Sequence, residues 1–286
     1  MPNAADLEAR VTAAADTPAG EPLPRDAGVT VERLLAALES GELRAAERGD
    51  DGAWRAVSWV KRGILLAFRV GQIADMSPPP DVAPGFRFFD KDTFPPRPLS
   101  LDAGVRLVPG GSAVRRGAYL ARGVVCMPPM YVNVGAWIGA GTMVDSHALV
   151  GSCAQIGEHV HLSAAAQIGG VLEPVNAAPV VVEDDVLVGG NCGVYEGTVV
   201  RRRAVLAAGV VLTRGTPVYD LVREAVYRGS ADAPLEIPEA AVVVPGARRV
   251  RGAWAESEGL ALQAPMIVKY RDERTDLATT LEQWLR

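Results

Sequence analysis

The chain has 286 residues, 49% of them apolar and 22% charged, with a formal net charge of −5. It is long enough to bury one large core or two modest ones, and its composition is neither disordered nor collagen-like. The acidic balance argues against a general nucleic-acid or anionic-membrane surface, while local arginine clusters stay available to a phosphorylated ligand.

No run of 18 or more apolar residues occurs, and the opening "MPNAADLEAR" lacks a basic segment followed by an apolar one. A cytoplasmic protein is therefore expected. Cys126, Cys153 and Cys192 are odd in number and have no CxxC spacing. They fit neither a disulfide framework nor a zinc site and read as buried, reduced thiols.

In chain order, residues 1–105 read as a mostly helical domain. "TVERLLAALESGEL" offers Thr30 as an N-cap, a spaced apolar stripe, and Gly41 just past the last turn. "LRAAERGDDGAWRAV" sets Asp51-Gly52 between two strand-like runs, a hairpin signal. "SWVKRGILLAFRV" reads as a second helix and "MSPPPDVAPGFRFFDKDTFPPRP" as a proline-rich connection.

Residues 106–220 then count in sixes. Val114, Leu120, Cys126, Val132, Ile138, Val144, Val150, Ile156, Leu162 and Ile168 are all apolar. The count breaks through "GGVLEPVNAAPVV" and resumes two residues out of phase at Val182, Val188, Val194, Val200, Leu206, Leu212 and Val218. A period of six fits neither a helix nor an alternating strand; it is the mark of a hexapeptide β-helix, whose sixth side chains point to a common axis. Gly135, Gly139, Gly141, Gly151, Gly157, Gly189 and Gly197 fall between the inward positions, where corners are tight. The break near 169–181, with Pro174 and Pro179, predicts a loop thrown out from one corner. Residues 221–286 read as a closing segment, with "APMIVKYRD" as a strand and "TDLATTLEQWLR" as a capped terminal helix, which would hide the edge of the last coil.

At "MYVNVGAWIGAGTMVDSHALVGSCAQIGEHVHLS" and "IGGVLEP" the chain resembles the tetrahydrodipicolinate N-succinyltransferase family of hexapeptide-repeat acyltransferases. "FFDKD", "AVRRGAYLARGVVCMPPMYVN", "VVVPG" and "MIVK" follow the family order, so the resemblance spans most of residues 30–270. It implies a mainly β fold, a left-handed parallel β-helix between an N-terminal α-helical domain and a small C-terminal α+β closing segment. It also implies a homotrimer with active sites between subunits, a small dicarboxylate substrate, succinyl-CoA as co-substrate and no permanently bound cofactor. No metal, nucleic acid or membrane partner is expected.

Acyl transfer from a thioester to nitrogen needs a proton acceptor, a donor for the developing oxyanion and an exit for the thiolate. Asp145 follows the inward Val144 and should point outward. Read alone it is a corner aspartate holding backbone amides; the resemblance makes it a catalytic and substrate-binding carboxylate. Arg106 in "VRLVP" matches a substrate-binding arginine, suited to a carboxylate by its fork. Arg214, "VVRRRAVL" and Lys269 in "MIVK" are cationic candidates for the CoA phosphates, or else solvated corners.

The chain also departs from the family. Where a second active-site glutamate is usual, "GGNCGVYEG" places Gly193, and Glu196 is the nearby carboxylate that could serve as acid or base. His147 stands where an aromatic residue is usual, and Ala164 to Ala166 where glycines are. His161 matches the family and reads as structural or as a substrate contact, and the three histidines lack partners in metal-ligand register. These departures motivate one alternative, a paralogue with another acyl donor or amine; a second, an inactive trimeric scaffold, is disfavoured by the retained Arg106, Asp145 and "IGGVLEP" loop. An unrelated sugar N-acyltransferase is disfavoured by the N-terminal domain.

Overall fold

A computed structural model describes residues 4–79, 81, 85, 87–231 and 233–272. Its centre is a left-handed parallel β-helix, a triangular prism of two-residue rungs stacked in three sheets. Trp137–Ile138, Met143–Val144 and Leu149–Val150 make one coil. Trp137 pairs with Gln155, Met143 with His161 and Leu149 with Gln167, so neighbouring rungs lie three hexapeptides apart. Successive side chains alternate sides, and the second residue of each rung faces the axis. All seventeen positions of the sixfold count are buried, each contributing on the order of 2 kcal/mol of apolar burial.

Face one runs from Tyr119–Leu120 to Glu236–Ile237, face two from Arg106–Leu107 to Ala241–Val244, and face three from Ala113–Val114 to Val211–Leu212. The third residue of most corners is left-handed. Gly141 takes φ +67° without strain, whereas His147, Cys153, His159 and Ala165 hold φ between 54° and 65°, at about 1 kcal/mol each. Histidine is among the residues that tolerate this region, which gives His147 and His159 a conformational role.

The three edges of the prism are unequal. Between faces one and two, and between faces two and three, every corner is short. Between faces three and one the chain leaves the repeat twice, at residues 169–180 and 213–235. Across these excursions the ladder still closes, Gln155 on Val181 and Val199 on Glu236. The last rungs of faces one and two therefore come from residues 236–244, beyond the sixfold count. Val218 is buried, but its strand Val218–Asp220 belongs to the closing sheet and pairs with Met266–Tyr270. Met266–Tyr270, the expected closing strand, also pairs with Ala241–Val244 and covers the end of face two.

Among the described residues, three α-helices precede the prism: α1 (Ala4–Ala15), α2 (Ala27–Ser40) and α3 (Ser58–Val70). α2 starts before Thr30, which is buried inside it with its N–H on the Asp26 carbonyl, so Thr30 is no cap. Gly41 ends α2 at φ +80°, donating to the Leu38 carbonyl. Ala46–Arg48 and Trp54–Ala56 form the expected hairpin about Asp51-Gly52. A further small pair of strands, Ile73–Asp75 with Phe89–Lys91, runs from just before the proline-rich connection into it. A short helix, α4 (Ala253–Ser257), lies in the closing segment. The helix expected over residues 275–286 lies outside the described residues.

The helical layer covers face one and the elaborated edge. Leu34, Leu35, Ile64 and Ala67 share a core with Val134 and Cys153 of the prism. Trp137 stacks on Tyr119 at 4.0 Å, and the Arg44 guanidinium lies 4.0 Å from the Trp137 ring. Higher up, Trp54 Nε1 donates to Glu183 at 3.0 Å, and Arg201 reaches both Glu183 (2.9 Å) and the Gly52 carbonyl (3.0 Å). Burial alone would push the Glu183 carboxyl up. The hydrogen bonds from Trp54, Arg201 and the Arg202 N–H outweigh it and hold the group below its usual range.

Candidate active site

Faces two and three keep their outward positions free of the helical layer, and these carry Met143, Leu187, Tyr131 and Leu149, all partly exposed. Arg106, Met143 and His161 stand in one outward column of face two, with Arg106 two rungs below Met143. Asp145 turns out of the same sheet at the plain edge between faces two and three. Its Oδ1 accepts the Ser146 N–H at 2.7 Å, and its Oδ2 lies 3.9 Å from His161 Nε2. Asp145 thus satisfies a backbone amide and keeps a second oxygen toward His161. The reading of a corner aspartate holding a backbone amide is the one this geometry shows.

Glu196 and Arg214 are on the other edge. They line a cleft of about 1000 Å³ between the two excursions of the chain, with Glu173 and Asn176 on one wall and Ala233 and Pro234 on the other. The hairpin residues Trp54 and Arg55 close its end. Glu196 is exposed at a left-handed corner (φ +54°), and its Oε2 accepts the Arg214 N–H at 3.1 Å. A smaller hollow of about 520 Å³ lies on face one, where Arg44 and Glu183 spend their polar atoms on Gln155, Trp54 and Arg201.

Within one chain, then, the candidates form two groups. Arg106, Asp145 and His161 belong to the side of face two; Glu196 and Arg214 belong to the cleft. Lys269 joins neither. It is exposed on the closing strand, 3.7 Å from Asp272, and does not line the cleft. Of the "RRR" run, Arg201 is engaged by Glu183 and Glu236 and Arg202 by Asp185, so these two serve the scaffold.

Two residues at the cleft were not singled out from the sequence. Lys61, on α3, is fully buried and donates from Nζ to the carbonyls of Pro174 (3.0 Å) and Ala177 (2.7 Å), fastening the first excursion. Burial pushes its ammonium below the ordinary lysine range. Its signal was a lysine inside the apolar stripe of "SWVKRGILLAFRV". Tyr195 lies half-buried in the cleft wall, and its signal was a bulky ring two residues past an outward glycine.

The three thiols are free and buried. Burial pushes Cys126 and Cys153 up to about 12, so neither is a nucleophile. Among the described residues, no group of three or more His, Cys, Asp or Glu could hold a metal ion, and no helix is long and apolar enough to cross a membrane.

A family profile described as the N-terminal part of tetrahydrodipicolinate N-succinyltransferase matches residues 8–70, and one for the hexapeptide repeat of succinyl-transferase matches residues 179–214. The 2,3,4,5-tetrahydropyridine-2,6-dicarboxylate N-succinyltransferase of Nitrobacter winogradskyi is 41% identical over 298 aligned residues, covering 100% of both chains. That of Rhodopseudomonas palustris is 42% identical, covering 99% of this chain and 96% of its own. A solved Campylobacter jejuni chain assigned as a 2,3,4,5-tetrahydropyridine-2-carboxylate N-succinyltransferase superposes with a TM-score of 0.51 at 18% identity. It covers 88% of this chain, which spans 64% of it, and the likeness is one of fold.

Proposed function

The chain belongs to the tetrahydrodipicolinate N-succinyltransferase family, and from that premise we propose that it moves the succinyl group of succinyl-CoA onto the nitrogen of tetrahydrodipicolinate. It would do so for diaminopimelate and lysine synthesis, as a cytoplasmic homotrimer with its active sites between subunits. The observation that carries this reading is the division of the candidate residues between two edges of one prism. Asp145 and Glu196 sit at different corners and different levels, so a single chain cannot close them on one substrate. A neighbour related by a threefold axis can bring the face-two side of one prism to the cleft edge of the next. The apolar outward residues of faces two and three suit such a contact.

In that arrangement Arg106 grips a substrate carboxylate through its planar fork. Asp145, steadied by the Ser146 N–H, takes the proton that the nitrogen loses as it attacks the thioester carbonyl. Arg214 supplies positive charge to the CoA phosphates from inside the cleft. Glu196 holds the turn that presents Arg214 and lines the cleft beside it.

The test is thiol release on mixing the protein with tetrahydrodipicolinate and succinyl-CoA, with acetyl-CoA as the alternative donor. Release with succinyl-CoA is expected, slowed about 100-fold or more by Asp145→Asn. Light scattering should give three times the chain mass. A folded protein that turns over neither donor would overturn the reading, and preference for acetyl-CoA would favour the paralogue that Gly193 and His147 keep open.

A further inference from the structure

Gly193 occupies an outward position of face three, one rung above Gln167. The space in front of it is filled. A Cβ built on Gly193 would fall 2.4 Å from Tyr195 Cε2 and 2.9 Å from the Tyr195 hydroxyl oxygen. A Cβ on Gly169, beneath Tyr195 in the same sheet, would fall 2.8 Å from its Cδ1. The tyrosine ring therefore lies back over two bare backbone positions, and its hydroxyl ends where the side chain of residue 193 would begin. Tyr195 itself lines the 1000 Å³ cleft, beside Glu196 and Arg214.

Two glycines that must be bare to accommodate one ring form a built seat, because any side chain at either place would displace the phenol. The other hydroxyl in the wall, Thr213, is turned to Thr216 Oγ1 at 2.9 Å. Tyr195 is thus the hydroxyl-bearing residue of the cleft lining whose O–H is not given to Thr216.

We propose that Tyr195 is the proton donor of the acyl transfer, its hydroxyl occupying the place that a side chain at position 193 would otherwise take. The inference rests on the acyl-transfer reading above. As the substrate nitrogen bonds to the succinyl carbon, it releases one proton to Asp145. As the carbon–sulfur bond breaks, the departing CoA thiolate takes the phenolic proton and leaves as the thiol. The phenolate then recovers a proton from Asp145 through solvent, so the site returns to its starting state with no other reactant.

The test compares Tyr195→Phe, Tyr195→Val and Gly193→Glu/Tyr195→Val with the wild type in the thiol-release assay, with folding followed by circular dichroism. Tyr195→Phe keeps the ring and its packing. A fall in kcat of about 100-fold with KM for both substrates unchanged is expected, as is at least a tenfold recovery when Gly193→Glu is added to Tyr195→Val. Unchanged kcat in Tyr195→Phe would make the tyrosine a space-filler and overturn the inference while leaving the acyl-transfer reading intact. A wild-type protein without thiol release would overturn both.

Discussion

The edge between faces two and three and the edge between faces three and one are built from the same hexapeptides, yet they obey different rules. The first keeps short corners throughout, because each must return the chain to the axis in register with the coil beneath. The second carries the helical layer, the excursion fastened by Lys61, and the excursion that holds Arg214. One edge is constrained by the ladder and the other is free to be elaborated, and the large cleft lies on the free one. A substrate site at a seam would join a constrained edge, which fixes Asp145, to an elaborated one, which can be shaped.

The comparison breaks most sharply under insertion. One residue added after Ser146, on the edge between faces two and three, turns the following side chains to the wrong face, and no cooperative thermal transition is expected. One residue added after Ala231, in the second excursion, should cost less than about 1 kcal/mol. Lys61→Met comes next. It leaves the Pro174 and Ala177 carbonyls without their donor, and urea unfolding should show a loss of about 1–3 kcal/mol, with a raised KM for the acyl donor. Of similar size is Gly139→Ala, whose new Cβ would fall 2.4 Å from the Gly157 carbonyl oxygen on a plain edge, costing about 1–3 kcal/mol. Gly215→Ala, in the excursion with nothing within 4 Å of its Cβ, should stay within about 0.5 kcal/mol.

Alkaline pH probes the buried thiols of the axis and of the helical seam. The folded thiols of Cys126 and Cys153 stay protonated up to about 12, while those of the unfolded chain ionise near pH 8.5. The folded state then binds more protons, so the stability present below the unfolded value is lost as pH rises toward 12. The slope should reach about 1.4 kcal/mol per thiol per pH unit, read from urea midpoints. In mild urea a thiol reagent should reach Cys153, beneath the helices, before Cys126 on the axis.

The prism was legible because its code is local: Val144, Val150 and Ile156 each report their own rung. The rungs at residues 236–244 were not, because the second excursion separates them from Leu212 and erases the phase. Thr30 misled because a threonine before an apolar run reads as a cap, whereas tertiary packing drew the helix start back to Ala27. The outward place of Asp145 was readable from the inward valine beside it, whereas its proposed role came only with the family resemblance. Tyr195 was harder, because the meaning of Gly193 lies in a ring seated across it in space. Lys269 was placed with Arg214 by its charge and its family-like "MIVK" segment, and only the topology shows them on different parts of the molecule.

The clasp between the hairpin and the upper coils has a consequence for how the protein is made. Trp54 is bound by Glu183, 129 residues later, and the Gly52 carbonyl by Arg201, 149 residues later. A growing chain emerges N-terminus first, so the hairpin waits unlatched while the lower coils wind. It is fastened only after Arg201 has emerged. A truncated product ending in the first excursion would leave the hairpin loose and Trp54 uncovered, marking an unfinished chain at the end that was made first.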